Sequence, residues 1–252
     1  QRRSLFWWAV GIGALALYTM WFYPSIAAAP ELDQMMKDLP PTFRAMFGEL
    51  SITTPEGFIN TELFSFMMPL LFIIFTVLQG SAAVAGEEEQ GTLDLVLSTP
   101  ITRRRFVLEK FMAMVVTTLF LALILWLSAA AGTVVADIEI STARLGAAIF
   151  STFLLALAFG TLALTLGCAT GKRGLSSSIA SALAVIAYFL NTMAPLVESL
   201  EPFRKLSLFY FYNSADPLRN GLDPGHAGIL LAVTFVLLLI GLQTVGKRDL
   251  QV

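Results

Sequence analysis

Gly167-Cys-Ala-Thr-Gly-Lys-Arg is the nearest this 252-residue chain comes to a phosphate cradle. Such a loop needs four residues between its glycines and a Ser or Thr after the Lys, to surround phosphates with N–H groups and to hold magnesium. Here three residues separate Gly167 from Gly171, and Arg173 follows Lys172. The run also closes an apolar helix and follows no strand. It is read as a small-residue packing face, continued by Gly160 and Ala156. His226 is the only histidine and Cys168 the only cysteine. One histidine makes neither a metal site nor a Ser-His relay, so His226 is read as a solvated loop residue. Cys168 has no cysteine to pair with and is read as a small packing residue. Glu198 and Glu201 lie in a stretch of mixed charge and are read as solvated. No catalytic residue, metal site or cofactor is expected, and the chain is not read as an enzyme.

The remaining concentration of polar chemistry is Gly86–Phe106, GEEEQGTLDLVLSTPITRRRF, between two long apolar runs. The elements that must position it are membrane helices. Hydrophobic residues make up 56% of the chain and charged ones 13%, far from a soluble composition. About 20 apolar residues cross a bilayer. Six windows of at least that order contain no Asp, Glu, Lys or Arg: Ser4–Pro30, Leu63–Gly86, Phe111–Ala136, Leu145–Gly171, Gly174–Val197 and Ala227–Gly246. The fold expected is an all-α polytopic membrane protein, one domain over 1–252, with spans at about 4–28, 62–85, 107–135, 144–170, 175–197 and 226–246. The longer apolar run and the anchors Trp7, Trp8, Trp21 and Tyr23 separate the first span from a signal peptide. Gln1 in place of an initiator Met predicts that sequence has been trimmed before it.

With both termini on one side, ten of the sixteen Lys and Arg residues fall there, crowded against span ends: Arg2, Arg3, Arg103, Arg104, Arg105, Lys110, Lys172, Arg173, Lys247 and Arg248. That side is expected to be cytoplasmic. A net charge of −2 and the lack of a basic groove argue against nucleic acid as a partner. Outside, Leu32–Leu39 and Phe43–Leu50 have helical apolar spacing broken by Pro40-Pro41, which predicts two short amphipathic helices on the membrane surface. Pro69 is expected to bend the second span. Glu198–His226 is too apolar for a free loop and too charged for a span; short helices or a re-entrant element are expected.

Within the charged stretch, Thr92–Ser98 makes about two helical turns, with Leu93, Val96, Leu97 and Pro100 on one face. Glu87, Glu88 and Glu89 are expected at the N-terminal end of this helix, over about 87–100, where negative charge suits the dipole. Thr99-Pro100 ends it. Arg103, Arg104 and Arg105 fall at the depth of lipid headgroups, making membrane lipid a partner. A helix resting on the inner leaflet is the plain alternative. Such helices carry basic residues on their polar face, however, and this one carries a Glu triplet and Asp94. It faces a protein instead.

Gly86-Glu-Glu-Glu-Gln-Gly-Thr-Leu-Asp-Leu-Val-Leu-Ser-Thr-Pro-Ile-Thr-Arg with Leu108-Glu-Lys resembles the signature of permease subunits of type-two ATP-binding-cassette exporters. Leu39-Pro-Pro, Phe47-Gly, Pro55-Glu-Gly-Phe, Ala215-Asp-Pro-Leu-Arg-Asn-Gly and Lys247-Arg-Asp-Leu extend the resemblance along nearly the whole chain. It implies a cytoplasmic coupling helix seated in a separate ATPase subunit. Glu87, Glu88, Glu89, Gly91, Thr92, Leu93, Asp94, Leu97 and Pro100 are then at the ATPase interface, with Arg103 as an anchor. ATP and magnesium are expected in that partner. The family also has an elbow helix before the first span, and a start at Gln1 is consistent with its having been trimmed away.

No window carries an acid or base, so coupling to protons or sodium lacks its usual group, and a hydrophobic or amphiphilic substrate is expected: drug, lipid or peptide-like. Polar and aromatic residues inside spans mark the candidate path: Tyr18, Phe72, Phe75, Thr76, Gln79, Tyr188, Asn191 and Met193. For the aromatics the alternative is packing or lipid contact, and for Gln79 and Asn191 it is interhelical bonding. The resemblance places the path on the second and fifth spans, between two permease copies, in a homodimer or beside a similar permease. It also implies a bacterial-type inner membrane. Two rivals remain: a non-transporting scaffold or sensor that recruits a cytoplasmic ATPase, and a lipid-modifying membrane enzyme, disfavoured by the lack of an inward acid, base or metal cluster.

Overall fold

The computed structural model describes residues 2–28, 54–91 and 102–247; side chains are described for all of these except Arg2 and Lys247. Every regular element among them is helical, and six helices are long and apolar enough to cross a membrane: Arg3–Ala27, Pro55–Ala83, Arg103–Val135, Thr142–Thr170, Arg173–Leu196 and Pro224–Gly246. The chain is an all-α polytopic membrane protein. The amphipathic helices expected over 32–50 lie outside the described residues.

The helices overrun the charge-free windows where the sequence supplies a cap. The second span starts at Pro55 rather than near Glu62, because Thr54 accepts a hydrogen bond from the Gly57 N–H at 3.3 Å and Pro55 occupies the first helical position. The third starts at Arg103, where Thr102 Oγ1 accepts from the Arg105 N–H at 3.3 Å. A π-helical stretch, Asn60–Met67, lies ahead of Pro69 and ends two residues before it. The Met68 N–H reaches back to the Leu63 carbonyl, a five-residue step.

The fourth span is the most enclosed, with 83% of its apolar window buried against 17% for the fifth. Its sequence explains this: Ala148, Ser151, Ala156, Ala158, Gly160, Thr161 and Ala163 are small and let neighbouring backbones approach.

Contacts group the chain into two compact units whose boundaries all fall inside long helices. One comprises Leu71–Leu119, Phe153–Ile186 and Gly228–Val252. In it the second and fourth spans cross at two glycines. A Cβ on Gly80 would strike the Gly160 carbonyl oxygen, and one on Gly160 would lie 2.6 Å from Thr76 Cβ and 2.9 Å from Met114 Sδ. Thr76 Oγ1 donates to the Ala156 carbonyl at 2.7 Å beside this crossing. Thr165 Oγ1 donates to the Leu237 carbonyl at 2.8 Å, tying the fourth span to the sixth. Cys168 is buried with Val84, Phe106, Val107, Leu164, Leu238 and Val245, as a small packing residue should be.

The other unit comprises Gln1–Leu70, Phe120–Thr152 and Ala187–Ala227. Here the residues between the fifth and sixth spans form short helices, among them Glu201–Leu206, Leu208–Asn213 and Pro217–Asn220. Tyr212 anchors them. Its hydroxyl donates to the Phe64 carbonyl at 2.6 Å and accepts from Thr152 Oγ1 at 3.3 Å. Burial pushes the phenol pKa upward, against the smaller opposite effect of the Thr152 bond. Tyr212→Phe should cost about 1–2 kcal/mol, since two buried polar groups lose their partner; detergent unfolding curves measure it.

Asp216 opens Pro217–Asn220 from a left-handed conformation at φ 47°, which Asp and Asn adopt more readily than most residues. Its Oδ1 is buried with no hydrogen-bond partner among the described residues. Burial raises the carboxyl pKa, and the nearby Arg219 opposes the rise. Asp216→Asn keeps the backbone tolerance and removes the charge. A folded pKa above the unfolded one contributes stability at low pH that disappears as pH rises through the folded value. The Asn variant is expected to melt above the native protein at about pH 8, with the gap closing towards about pH 4. Melting curves across that range decide it.

Candidate functional site

The acidic stretch follows the second span directly. Val84 breaks the helix at φ −115°, and Ala85–Glu89 forms one new turn in which the Glu87 and Glu88 N–H groups donate to the Val84 carbonyl at 3.1 and 3.0 Å. Gly91 ends the turn at φ 65°, with its N–H on the Glu88 carbonyl at 3.0 Å. A left-handed residue cannot sit inside a right-handed helix. The helix expected over about 87–100 is therefore interrupted: Glu87, Glu88 and Glu89 belong to a separate turn ahead of Gly91. Thr92, Leu93, Asp94, Leu97 and Pro100 lie outside the described residues.

The acids are not all turned to solvent. Glu87 Oε1 pairs with Lys110 Nζ of the third span, and the same ammonium lies 5.1 Å from the centre of the Phe106 ring. Both partners of the pair are half-buried, which strengthens it beyond a surface pair. Glu89 Oε1 accepts the backbone N–H of Arg173 at 2.8 Å. Arg173 is the first residue of the fifth span, so the carboxylate satisfies a donor that has no partner within its own helix. Gly86 faces the Arg173 side chain, its Cβ position 3.7 Å from Cδ. Arg103, Arg104 and Arg105 are exposed, and Arg105 pairs with Glu109 at 3.0 Å across one turn. The sequence reading used Lys110 and Arg173 only as charges at span ends and as parts of motifs, and no local spacing pairs them with acids so far along the chain.

A model of the ABC-2 family of transporter proteins matches residues 1–250. The chain belongs to that family. It is a transport permease, a multi-pass membrane subunit. No curated protein matches it.

The permease places its candidate path residues in two settings. Phe72, Phe75 and Thr76 are buried within the chain, Thr76 by the bond to Ala156 already described. Tyr18 is 57% exposed and stacks on Phe22 at 5.9 Å, while Gln79, Tyr188, Asn191 and Met193 are half-buried. The Gln79 amide oxygen accepts from Thr117 Oγ1 at 3.0 Å, the interhelical alternative for this residue. The Asn191 oxygen accepts from Arg204 Nε at 3.3 Å, and Arg204 in turn lies 5.5 Å from the Tyr210 ring centre. Tyr188 sits between Phe66 and Phe209, 5.4 Å from each. His226 is not the solvated residue expected. Its ring packs 5.8 Å from Tyr210 and 5.5 Å from Phe211, and its Nδ1 is buried. The short helix Leu208–Asn213 supplies that aromatic pair, which the position of His226 at the start of a span does not reveal.

Proposed function

We propose that the permease is the membrane half of an ATP-driven exporter, with both termini in the cytoplasm of a bacterial-type cell and the protein in its inner membrane. A separate ABC ATPase, carrying ATP and magnesium, grips the segment after Gly91. Leu93, Leu97 and Pro100 supply the apolar contact, Thr92, Asp94 and Glu88 the polar one, and Arg103 anchors the return into the membrane.

Two permease copies form the path between their second and fifth spans, and a hydrophobic or amphiphilic molecule passes along it. The exposure of Tyr18 on the first span supports a lining on the chain's outer face. Phe72, Phe75 and Thr76 back it by holding the second span in place. The observation that carries the reading is the acidic turn braced at the mouth of the third and fifth spans, immediately before the Leu-rich segment. Force applied to that segment has a direct route into the bundle. Co-purification of the permease with its ATPase, followed by vanadate-sensitive ATP hydrolysis, tests it. A permease that never retains the ATPase would sink the proposal.

A further inference from the structure

Two of the three glutamates assigned above to the ATPase side spend a carboxylate oxygen inside the permease. Glu87 Oε1 holds Lys110 of the third span, and Glu89 Oε1 holds the Arg173 N–H at 2.8 Å. We infer that Glu89, with Glu87, is a positioning residue that carries the motion of the ATPase-gripped segment into the fifth and third spans, rather than a contact to the ATPase. The inference rests on the proposed function.

Three features of the geometry support it. First, Glu89 is separated from Thr92 by only Gln90 and Gly91, so it is the first fixed point met by any displacement of 92–100. Second, its target is main chain at the first residue of a helix. A bond to a side chain can be absorbed by rotamer changes, whereas a pull on the Arg173 N–H moves the helix backbone itself. The bond is charge-assisted and aligned with the positive end of the helix dipole, which makes it stronger than a neutral one. Third, the acceptor end is equally fixed. The turn that carries Glu89 begins at Val84 and Ala85, both buried, and Val84 shares an apolar cluster with Phe106 and Val107 of the third span. Glu87 adds a polar tie to the same span through Lys110, whose ammonium is also held over Phe106. A short rigid turn is thus pinned on both sides, to one span by apolar packing and an ion pair, and to another by a backbone hydrogen bond. The fifth span is also the one that its own chain encloses least, with 17% of its window buried, so few contacts within the chain oppose such a pull.

Two arms of hydrogen–deuterium exchange test the assignment. In the permease alone, Glu89→Ala should speed exchange of the amides at the start of the fifth span by about tenfold, the loss expected for one charge-assisted bond. Glu89→Gln, which keeps an acceptor oxygen, should restore most of the protection. In the complex with the ATPase, trapping with ATP and vanadate should change exchange across Arg173–Met193 in the native protein. Glu89→Ala should lose most of that change while the ATPase stays bound and hydrolyses ATP. Glu87→Lys should blunt the response, and Glu87→Lys with Lys110→Glu should recover it. Unchanged protection in the permease alone overturns the inference, as does an Ala variant that responds like the native complex. Release of the ATPase by Glu89→Ala overturns it too, by making Glu89 a docking contact. If the permease-alone arm succeeds and the native chain binds no ATPase, it is the proposed function that fails.

Discussion

Replacing Leu93 and Leu97 with Asp is expected to strip the ATPase from the permease while leaving the membrane part folded. Both leucines lie on the apolar face read from the spacing of Thr92–Ser98, and neither falls in one of the six charge-free windows. Each substitution removes an apolar anchor and places a carboxylate where a protein surface must desolvate it. A contact of this kind is worth about 2 kcal/mol or more, so the double variant should bind on the order of a thousandfold more weakly. The native complex should survive size-exclusion chromatography in detergent, and the variant should elute as free permease with an unchanged melting profile. Retention of the ATPase would move the docking surface elsewhere on the chain.

Gly80→Val should produce the largest loss of stability of any single substitution named here. The new Cβ would fall on the Gly160 carbonyl oxygen and within 3.1 Å of the Leu164 nitrogen. Those are backbone atoms of the most buried span, and no rotamer change relieves the clash. The second and fourth spans would have to separate, breaking the Thr76–Ala156 bond as they do. Overpacking against side chains costs about 1–3 kcal/mol, and a rigid backbone target puts this case at or above the top of that range. Denaturation with sodium dodecyl sulfate, compared with Gly174→Ala, isolates the effect, because nothing lies within 4 Å of a Cβ at Gly174. A variant as stable as the control would mean that the glycine crossing is dispensable.

The six spans were legible because desolvation of charge is the dominant local cost in a membrane, and it marks each window without reference to any neighbour. Their ends were less so. Pro55, Glu56 and Arg103 are helical although charge or proline stops a hydropathy window there, and capping by Thr54 and Thr102 decides those ends. The short helices before the sixth span were foreseeable from residues too apolar for a loop. The surroundings of His226 were not, since its aromatic neighbours come from an element whose placement depends on Tyr212 reaching the Phe64 carbonyl. The same holds for the acidic turn. Its charge set it apart from the apolar runs on either side, and Gly91 was visible as a glycine, but the partners of Glu87 and Glu89 lie 23 and 84 residues further along the chain. Only the folded arrangement of the third and fifth spans brings them together.

The join between the fourth and fifth spans consists of Gly171 and Lys172 alone, with Gly171 at φ 64°. Thr170 Oγ1 accepts the Lys172 N–H at 3.2 Å and lies 3.2 Å from Ser176 Oγ, so little slack is left. A tether of this length can swivel but cannot stretch. The fifth span therefore has no freedom to slide along its neighbour at this end. On the coupling inferred above, a tug at Arg173 would therefore reach the last turn of the fourth span as well as the start of the fifth.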